Sequence, residues 1–107
     1  MIKIKSKQIN YFVSAIKYSS GSRNFISKLM VHECNKEGLV NDSFIMTKDE
    51  VIEKINNGYT FFTGYKNEEE WLTGEKIEVF NSGINSYLKT ILNYLEEDNL
   101  GSLPKIY

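Results

Sequence analysis

The fold class is decided by residues 47–63, which read TKDEVIEKINNGYTFFT. Thr47 and Glu50 have the spacing of a capping box, in which the threonine hydroxyl accepts from the Glu50 amide and the Glu50 carboxylate accepts from the Thr47 amide. Apolar residues follow at helical spacing. Gly58 then suits the left-handed conformation that ends many helices. These signals predict a short helix over about residues 48–57, followed directly by an aromatic strand.

Strand-like segments surround this helix. β-branched and aromatic residues are frequent in five segments that we predict to be strands, residues 9–18, 25–34, 43–46, 59–65 and 76–80. The first two are joined by the turn-forming run Ser19–Ser22, so we expect a hairpin or meander there. We expect the last two to pair as a second hairpin, whose long connection holds Glu68–Glu70 and Trp71.

The last quarter of the chain has a helical pattern. Leu88, Ile91, Leu92 and Leu95 recur at helical spacing, which favours a helix over about residues 84–97, although a strand stays open. The sequence therefore predicts an α+β fold, in which a small antiparallel sheet of about four to five strands carries one or two packed helices. A length of 107 residues predicts a single domain that covers the whole chain.

Charge and composition argue against several classes of function. Thirteen basic residues against fourteen acidic ones leave a net charge of -1, which gives no general attraction to nucleic acid or to an anionic membrane. Cys34 is the only cysteine, so an internal disulfide is impossible. The sequence has neither the apolar stretch of a signal peptide nor a run long enough to cross a bilayer. We expect a cytoplasmic protein that binds neither membranes nor a specific nucleic acid sequence.

Catalytic and metal-binding patterns are weak. His32 and Cys34 lie two apart on a predicted strand and would share a face, but we favour the structural explanation, a packed thiol beside a hydrogen-bonded histidine, over a catalytic pair. One histidine and one cysteine cannot supply a tetrahedral zinc site, and Glu68–Glu70 lacks the spacing of a calcium loop. The glycines form no phosphate-binding motif. We expect a non-catalytic protein without metal or cofactor, although dispersed catalytic carboxylates stay open.

The C-terminal motifs point to a family. Tyr87–Thr90 reads YLKT, Asp98–Leu100 reads DNL, and Leu103–Pro104 reads LP. With these motifs the chain resembles the small bacterial and phage proteins grouped as domain of unknown function 3892. The chain departs from the family pattern in two places. Lys89 occupies a position where arginine is commoner, and lysine lacks the bidentate donor geometry of arginine. Residues 91–97 have an apolar, helical pattern where the family has a loop. The resemblance implies a strand pair, a threonine-capped helix, an aromatic strand and a phage or mobile-element setting.

Our first functional hypothesis is a non-catalytic binding protein that sequesters a small signalling nucleotide or similar metabolite, as a homo-oligomer with the ligand at a subunit interface. Tyr65 and Trp71 flank a polar loop, where aromatic rings often serve binding, and Arg23, Lys89 or Lys66 would contact a charged ligand. The candidate ligand- or partner-binding residues are Arg23, Tyr65, Trp71, Tyr87, Lys89, Thr90, Asp98 and Asn99.

Two alternatives remain open. The protein could instead be an inhibitor or accessory domain that docks on a host protein through the acidic loop Glu68–Glu70 and Trp71. Asp98 and Asn99 could also have a structural role, capping a turn while Leu100 and Leu103 hold the tail to the core. A deep pocket lined by tyrosine and lysine would favour the binding protein, whereas a flat acidic patch with an exposed tryptophan would favour the inhibitor.

Overall fold

A computed structural model describes residues 9–21, 25–34, 40–68, 70–90, 97–101 and 103–106, with the backbone alone described at Asn41, Asn67 and Glu70. The elements, in chain order, are β1 (Tyr11–Tyr18), β2 (Ile26–Cys34), β3 (Val40–Thr47), α1 (Lys48–Asn56), β4 (Phe61–Asn67), β5 (Glu70–Lys76), β6 (Glu78–Ser82) and β7 (Asn85–Lys89).

The strands form two sheets. Five of them build a mixed sheet in the order β3-β2-β1-β4-β5, and β6 pairs with β7 in a separate antiparallel ribbon. Neighbours in the large sheet are antiparallel except β1 and β4, which run parallel over three residue pairs from Tyr11↔Phe61 to Val13↔Thr63. A parallel pair requires a crossover connection, and α1 lies within it.

The predicted α+β class is wrong. Within the described residues the fold is mostly β, with seven strands and one short helix, and the large sheet is mixed rather than antiparallel. The prediction overestimated helix because it assigned the last quarter of the chain by apolar periodicity alone. It overestimated antiparallel pairing because parallel contact between β1 and β4 depends on residues 50 apart in sequence.

Local signals predicted α1 correctly. The Thr47 hydroxyl accepts from the Glu50 amide at 3.2 Å, and the Glu50 carboxylate accepts from the Thr47 amide at 2.9 Å, so both bonds of the capping box form. Gly58 follows the helix at a φ of 98°, a conformation that costs glycine little. The predicted pairing of the first two strands is also confirmed, because β1 and β2 are antiparallel neighbours.

The predicted hairpin between residues 59–65 and 76–80 is confirmed only at its start, where Lys76 pairs with Phe62, and is wrong beyond it. Most of the connection that we expected to be a loop lies in strand β5 (Glu70–Lys76), which pairs with β4 at the edge of the large sheet. An edge strand faces solvent on one side and can therefore carry the acidic residues that suggested a loop. Residues Glu78–Ser82 instead pair with β7, where Val79 lies opposite Leu88.

The predicted helix over residues 84–97 is wrong at its start. Asn85–Lys89 is strand β7, and Gly83, at a φ of 62°, forms the tight turn that leads into it. Tyr87, Leu88 and Lys89 are buried in succession, which a ribbon strand covered on both faces permits. Residues 91–96, which carry most of the helical pattern, lie outside the described residues.

The main core lies between the large sheet, α1, the ribbon and the C-terminal tail. Its fully buried members are Val13, Leu29, Val31, Val51, Phe61 and Leu88, with Ile77 and Leu100 almost equally enclosed. Phe12 alternates with Val13 on β1 and so points to the opposite face of the sheet, where it is also fully buried. The sheet is therefore packed on both faces at its centre.

Candidate functional site

The buried carboxylate of Asp98 joins four parts of the fold. One oxygen accepts from the Leu88 amide at 2.8 Å, and the other accepts from the Ile26 amide at 2.7 Å and lies 2.9 Å from the Lys48 ammonium. These contacts connect the tail with β7, β2 and α1. A carboxylate can be buried at low cost only when its oxygens are satisfied in this way.

Aromatic rings surround the ammonium of Lys48. The Nζ atom lies 5.2 Å from the centre of the Tyr87 ring and 5.9 Å from the centre of the Phe25 ring, both within the range of cation–π attraction. Tyr87 is buried, and its ring also lies 6.1 Å from that of Phe25. Two predicted binding residues, Tyr87 and Asp98, therefore meet in one buried cluster around Lys48.

The two halves of the C-terminal motif run side by side. The Asn99 amide donates to the Leu88 carbonyl at 2.8 Å, and the Thr90 amide donates to the Asn99 carbonyl at 3.0 Å, which forms a parallel bridge between Lys89 and Asn99. The Asn99 side chain accepts from the Gly101 amide at 3.0 Å. The alternative interpretation, in which Asn99 caps a turn, is thus confirmed, and a ligand contact for this residue stays a prediction.

The predicted cations do not converge. Lys89 is fully buried, with its ammonium 4.6 Å from the centre of the Phe80 ring. Lys66 is exposed on β4, next to the loop between β4 and β5. Arg23 lies outside the described residues. Of the three, Lys66 has the exposure that a solvent-facing contact requires, and the roles of Lys89 and Arg23 stay predictions.

Trp71 packs on the second face of the sheet. Its ring centre is 4.6 Å from that of His32 and 6.2 Å from that of Phe12, with which it is stacked. The side chain is partly buried in β5 rather than at a loop tip. In the acidic loop Glu68 is exposed, while Glu69 and the side chain of Glu70 lie outside the described residues. A docking role for this loop stays a prediction.

His32 and Cys34 do not form an activated pair. The His32 Nε2 atom lies 2.9 Å from the Ser14 hydroxyl, so one ring nitrogen contacts serine rather than the thiol. Burial, and secondarily the charge of Glu33, raises the pKa of Cys34 from 9.0 to about 11. A catalytic thiol needs the opposite shift, because the thiolate is the nucleophile.

Alkylation should reveal this raised pKa. We expect Cys34 to react with iodoacetamide at pH 8 about 100-fold more slowly in the folded chain than in denaturant, since its pKa rises from 9.0 to about 11. The unfolded chain ionises first, so this thiol should also favour unfolding as the pH rises from about 9 to about 11. Mass spectrometry of the labelled protein measures the alkylation rates of the folded and the denatured chain, with Cys34→Ser as the blank. Equal rates would contradict the buried, protonated thiol.

Two general features follow from the described part of the chain. It contains no helix of the length and apolar character needed to cross a membrane. The same residues hold no group of three or more histidine, cysteine, aspartate or glutamate side chains placed to bind a metal ion.

The first concavity lies beneath the C-terminal tail. We call it the tail cavity; its volume is about 480 Å³, and it is lined by Thr63, Tyr65, Gly74, Glu75, Thr90, Leu100, Gly101, Leu103 and Pro104. It brings together two predicted binding residues, Tyr65 and Thr90, which are 25 positions apart in sequence. The apolar side chains come from the Asp-Asn-Leu and Leu-Pro motifs that characterise the end of the chain.

The second concavity lies where α1 meets the ribbon. We call it the Tyr59 groove; its volume is about 320 Å³, and it is lined by Ile55, Asn56, Gly58, Tyr59, Thr60, Lys76, Ile77, Glu78 and Val79. Tyr59 is 44% exposed, and the ammonium of Lys54 lies 4.9 Å from the centre of its ring. Both concavities fall in the range of roughly 300–1,000 Å³ that is usual for small-molecule sites.

The fold and the two concavities define a small, mostly β domain with sites of ligand size. The chain belongs to the family described as "Protein of unknown function (DUF3892)", whose family model matches residues 12–104. The match confirms the resemblance seen in the C-terminal motifs. No curated protein and no solved structure shows a significant match to this chain.

Sequence reasoning missed the residues of the Tyr59 groove. Lys76 and Glu78, which line the groove, and Lys54, whose ammonium contacts the Tyr59 ring, are ordinary charged residues in the sequence. Tyr59 carried a partial signal, because it directly follows the predicted helix end at Gly58; we predicted it as the first residue of a strand, whereas in the structure it precedes β4. An aromatic residue at such a junction lies outside regular hydrogen-bonded structure, where side chains commonly remain exposed.

Proposed function

We propose that this protein is a non-catalytic binding protein that sequesters a small signalling nucleotide or a similar metabolite, and that the Tyr59 groove holds the ligand. One observation carries the proposal. The half-exposed Tyr59 ring stands on a groove of about 320 Å³, with an ammonium 4.9 Å from the ring centre and a second lysine, Lys76, in the groove wall.

The groove offers a partner for each part of a nucleotide. An exposed aromatic ring provides a stacking surface for a base, which contributes about 1–3 kcal/mol per base in other proteins. The ammonium groups of Lys54 and Lys76 suit the charge of a phosphate. The carboxylate of Glu78 can accept from ribose hydroxyls, a contact that acidic residues make in dinucleotide-binding folds.

The two lysines have charge available for a ligand. Lys48 is neutralised by Asp98 at 2.9 Å, whereas neither Lys54 nor Lys76 forms an ion pair within the part of the chain that the structure describes. Free carbonyl groups at the C-terminus of α1 carry partial negative charge and would repel an anionic ligand. Here the amides of Asn57, Gly58 and Tyr59 donate to the last carbonyls of the helix, which reduces this electrostatic repulsion.

An oligomer belongs to the same proposal. The Tyr59 groove is open to solvent on one side, so a single copy encloses only part of a ligand. A second copy of the chain that covered the groove would bury more of the ligand and raise its affinity. Native mass spectrometry of protein purified from a bacterial host would measure the captured mass and the stoichiometry together.

Tyr59→Ala tests the site directly. We expect the affinity for the best ligand of a panel of mononucleotides, cyclic nucleotides and dinucleotides to fall by about 5- to 150-fold, as loss of one stacking contact predicts. Phe44→Ala is the matched control, because Phe44 is 42% exposed and Tyr59 is 44% exposed, so neither substitution opens the core, and Phe44 lines neither concavity. Isothermal titration calorimetry gives the affinities. The proposal fails if no nucleotide binds, or if Tyr59→Ala and the control behave alike.

The inhibitor hypothesis stays a second prediction. The Trp71 ring packs on Phe12 and His32, so a partner protein could contact only its remaining surface. Capture of a host protein instead of a small mass would favour this hypothesis and would make Trp71 the first residue to replace.

A further inference from the structure

We infer that the tail cavity is a second ligand site, which takes a small uncharged heterocycle that carries hydrogen-bond donors. This site is separate from the Tyr59 groove, since the two share no lining residue. The inference therefore stands or falls independently of the proposed function.

The cavity forms where β1 exchanges one hydrogen-bonded neighbour, β4, for another, the C-terminal tail. Strand β4 pairs with β1 only as far as Val13↔Thr63, after which β1 carries a bulge at Ser14. Further along, the tail takes the place of β4, because the Ile16 amide donates to the Pro104 carbonyl at 2.9 Å and the Ile106 amide donates to the Ile16 carbonyl at 2.8 Å. The tail cavity lies between the diverging β4–β5 hairpin and this tail.

Backbone contacts hold the walls in place. The Thr63 hydroxyl is buried and accepts from the Glu75 amide at 2.9 Å, which ties β4 to β5 at the cavity floor. A Cβ at Gly74 would collide with that hydroxyl, so glycine permits the close approach of the two strands. On the tail side Gly101, at a φ of 76°, forms the turn that Asn99 caps. A preformed cavity of this kind costs a ligand little ordering.

The lining determines the class of ligand. Leu100, Leu103 and Pro104 provide apolar contact for a flat ring, while the hydroxyls of Tyr65 and Thr90 offer polar contacts. The Thr63 hydroxyl is already hydrogen-bonded to the Glu75 backbone. Glu75 is the only acidic residue of the described lining, which contains no lysine, arginine or histidine. A phosphate or carboxylate would therefore meet the negative charge of Glu75 without a cation among the described lining residues, whereas a neutral heterocycle with N–H groups would find acceptors.

Amide signals of glycines distinguish the two sites. In a ¹H–¹⁵N NMR titration with adenine, adenosine, uracil and nicotinamide, we expect saturable shifts at Gly74 and Gly101, which line the tail cavity, whether or not Gly58, which lines the Tyr59 groove, also shifts. Adenosine monophosphate should leave Gly74 and Gly101 unshifted because of Glu75. Shifts at Gly58 alone, equal binding of the charged and uncharged compounds at Gly74, or no shift with any of the uncharged compounds would overturn the inference.

Two exposed positions test the chemistry without opening the core. Tyr65→Ala should weaken binding of the best uncharged heterocycle by about tenfold, through loss of one aromatic contact, while Tyr59→Ala should leave it unchanged. Glu75→Gln should keep the uncharged ligand and admit its phosphorylated form, because it removes the only charge of the described lining. An unchanged affinity in Tyr65→Ala, or continued exclusion of the phosphorylated form by Glu75→Gln, would contradict the assignment.

Discussion

Replacing Asp98 with alanine should lower the free energy of unfolding by about 3–5 kcal/mol, which is a large fraction of the roughly 5–15 kcal/mol of a typical domain. The substitution leaves the buried amides of Ile26 and Leu88 without their acceptor. It also leaves the Lys48 ammonium, whose side chain is 17% exposed, without its carboxylate. Unpaired buried donors and charges are more costly than the loss of the contacts alone.

Urea denaturation of a small set of variants measures this effect. Asp98→Asn should fall between the wild type and alanine, because it keeps an acceptor and removes the charge. Lys48→Met should cost less than Asp98→Ala, since the carboxylate keeps both amide hydrogen bonds. Asp42→Ala removes an exposed aspartate of β3 and should change stability by less than about 0.5 kcal/mol. A loss below about 1 kcal/mol for Asp98→Ala would show that the cluster around Lys48 contributes little.

Phe12→Ala should cost about 3–5 kcal/mol, the usual range for a buried phenylalanine. Phe12 is fully buried, although it lies on the face of the sheet opposite the main core. Its ring is stacked with that of Trp71 at an angle of 13° and lies directly over Gly64, whose missing Cβ leaves room for it. The backbone of β4 forms part of the wall, so the space left by alanine cannot readily collapse.

Trp71 gives this variant a local signal, because it is the only tryptophan of the chain. We expect Phe12→Ala to shift the tryptophan emission to longer wavelength as water reaches the ring, in addition to the loss in stability. Phe12→Leu should cost less, since it keeps most of the buried volume. Phe44→Ala is the control for an exposed ring, because Phe44 is 42% exposed on β3. If Phe12→Ala and Phe44→Ala were equally stable, the second face would not be a packed part of the fold.

The C-terminal motifs of the family have a structural explanation that does not depend on the ligand. The Tyr-Leu-Lys-Thr motif and the Asp-Asn-Leu motif are joined by a parallel β-bridge between Lys89 and Asn99. The Asp98 carboxylate also accepts from the Leu88 amide. The Leu-Pro motif continues the tail to β1, where Pro104 accepts from Ile16. The motifs thus hold the tail against β1 and β7, and their residues form one wall of the tail cavity.

Predictions from sequence succeeded where the deciding contacts are close in the chain. The capping box spans three residues, and the β1–β2 hairpin turns within a few residues of Gly21. The prediction of a helix over residues 84–97 failed over β7. Leu88, a buried residue of this ribbon strand, happens to continue the helical spacing of the apolar residues that follow it in the sequence. The prediction for β5 failed because its polar composition reflects an edge position, which depends on the order of the strands.

The candidate sites show the same division. Tyr65 and Thr90 were predicted as separate binding residues, and the tail cavity brings them together because the tail replaces β4 beside β1. Tyr87 and Asp98 were predicted as ligand- or partner-binding residues, but they pack around Lys48 in the interior. Lys54 and Lys76 were not predicted, since only the tertiary structure places them beside Tyr59.

The sequence by itself determined the family, the capped helix α1, the hairpin of β1 and β2, and the near-neutral charge, because each of these depends on composition or on residues within a short stretch. Only the tertiary structure decided the mixed strand order, the burial of Asp98 and Lys89, and the two concavities. Those features arise from contacts between residues tens of positions apart, such as Asp98 with Ile26 and Tyr11 with Phe61. Hydrophobic burial selects such contacts across the whole chain at once, so no local pattern specifies them.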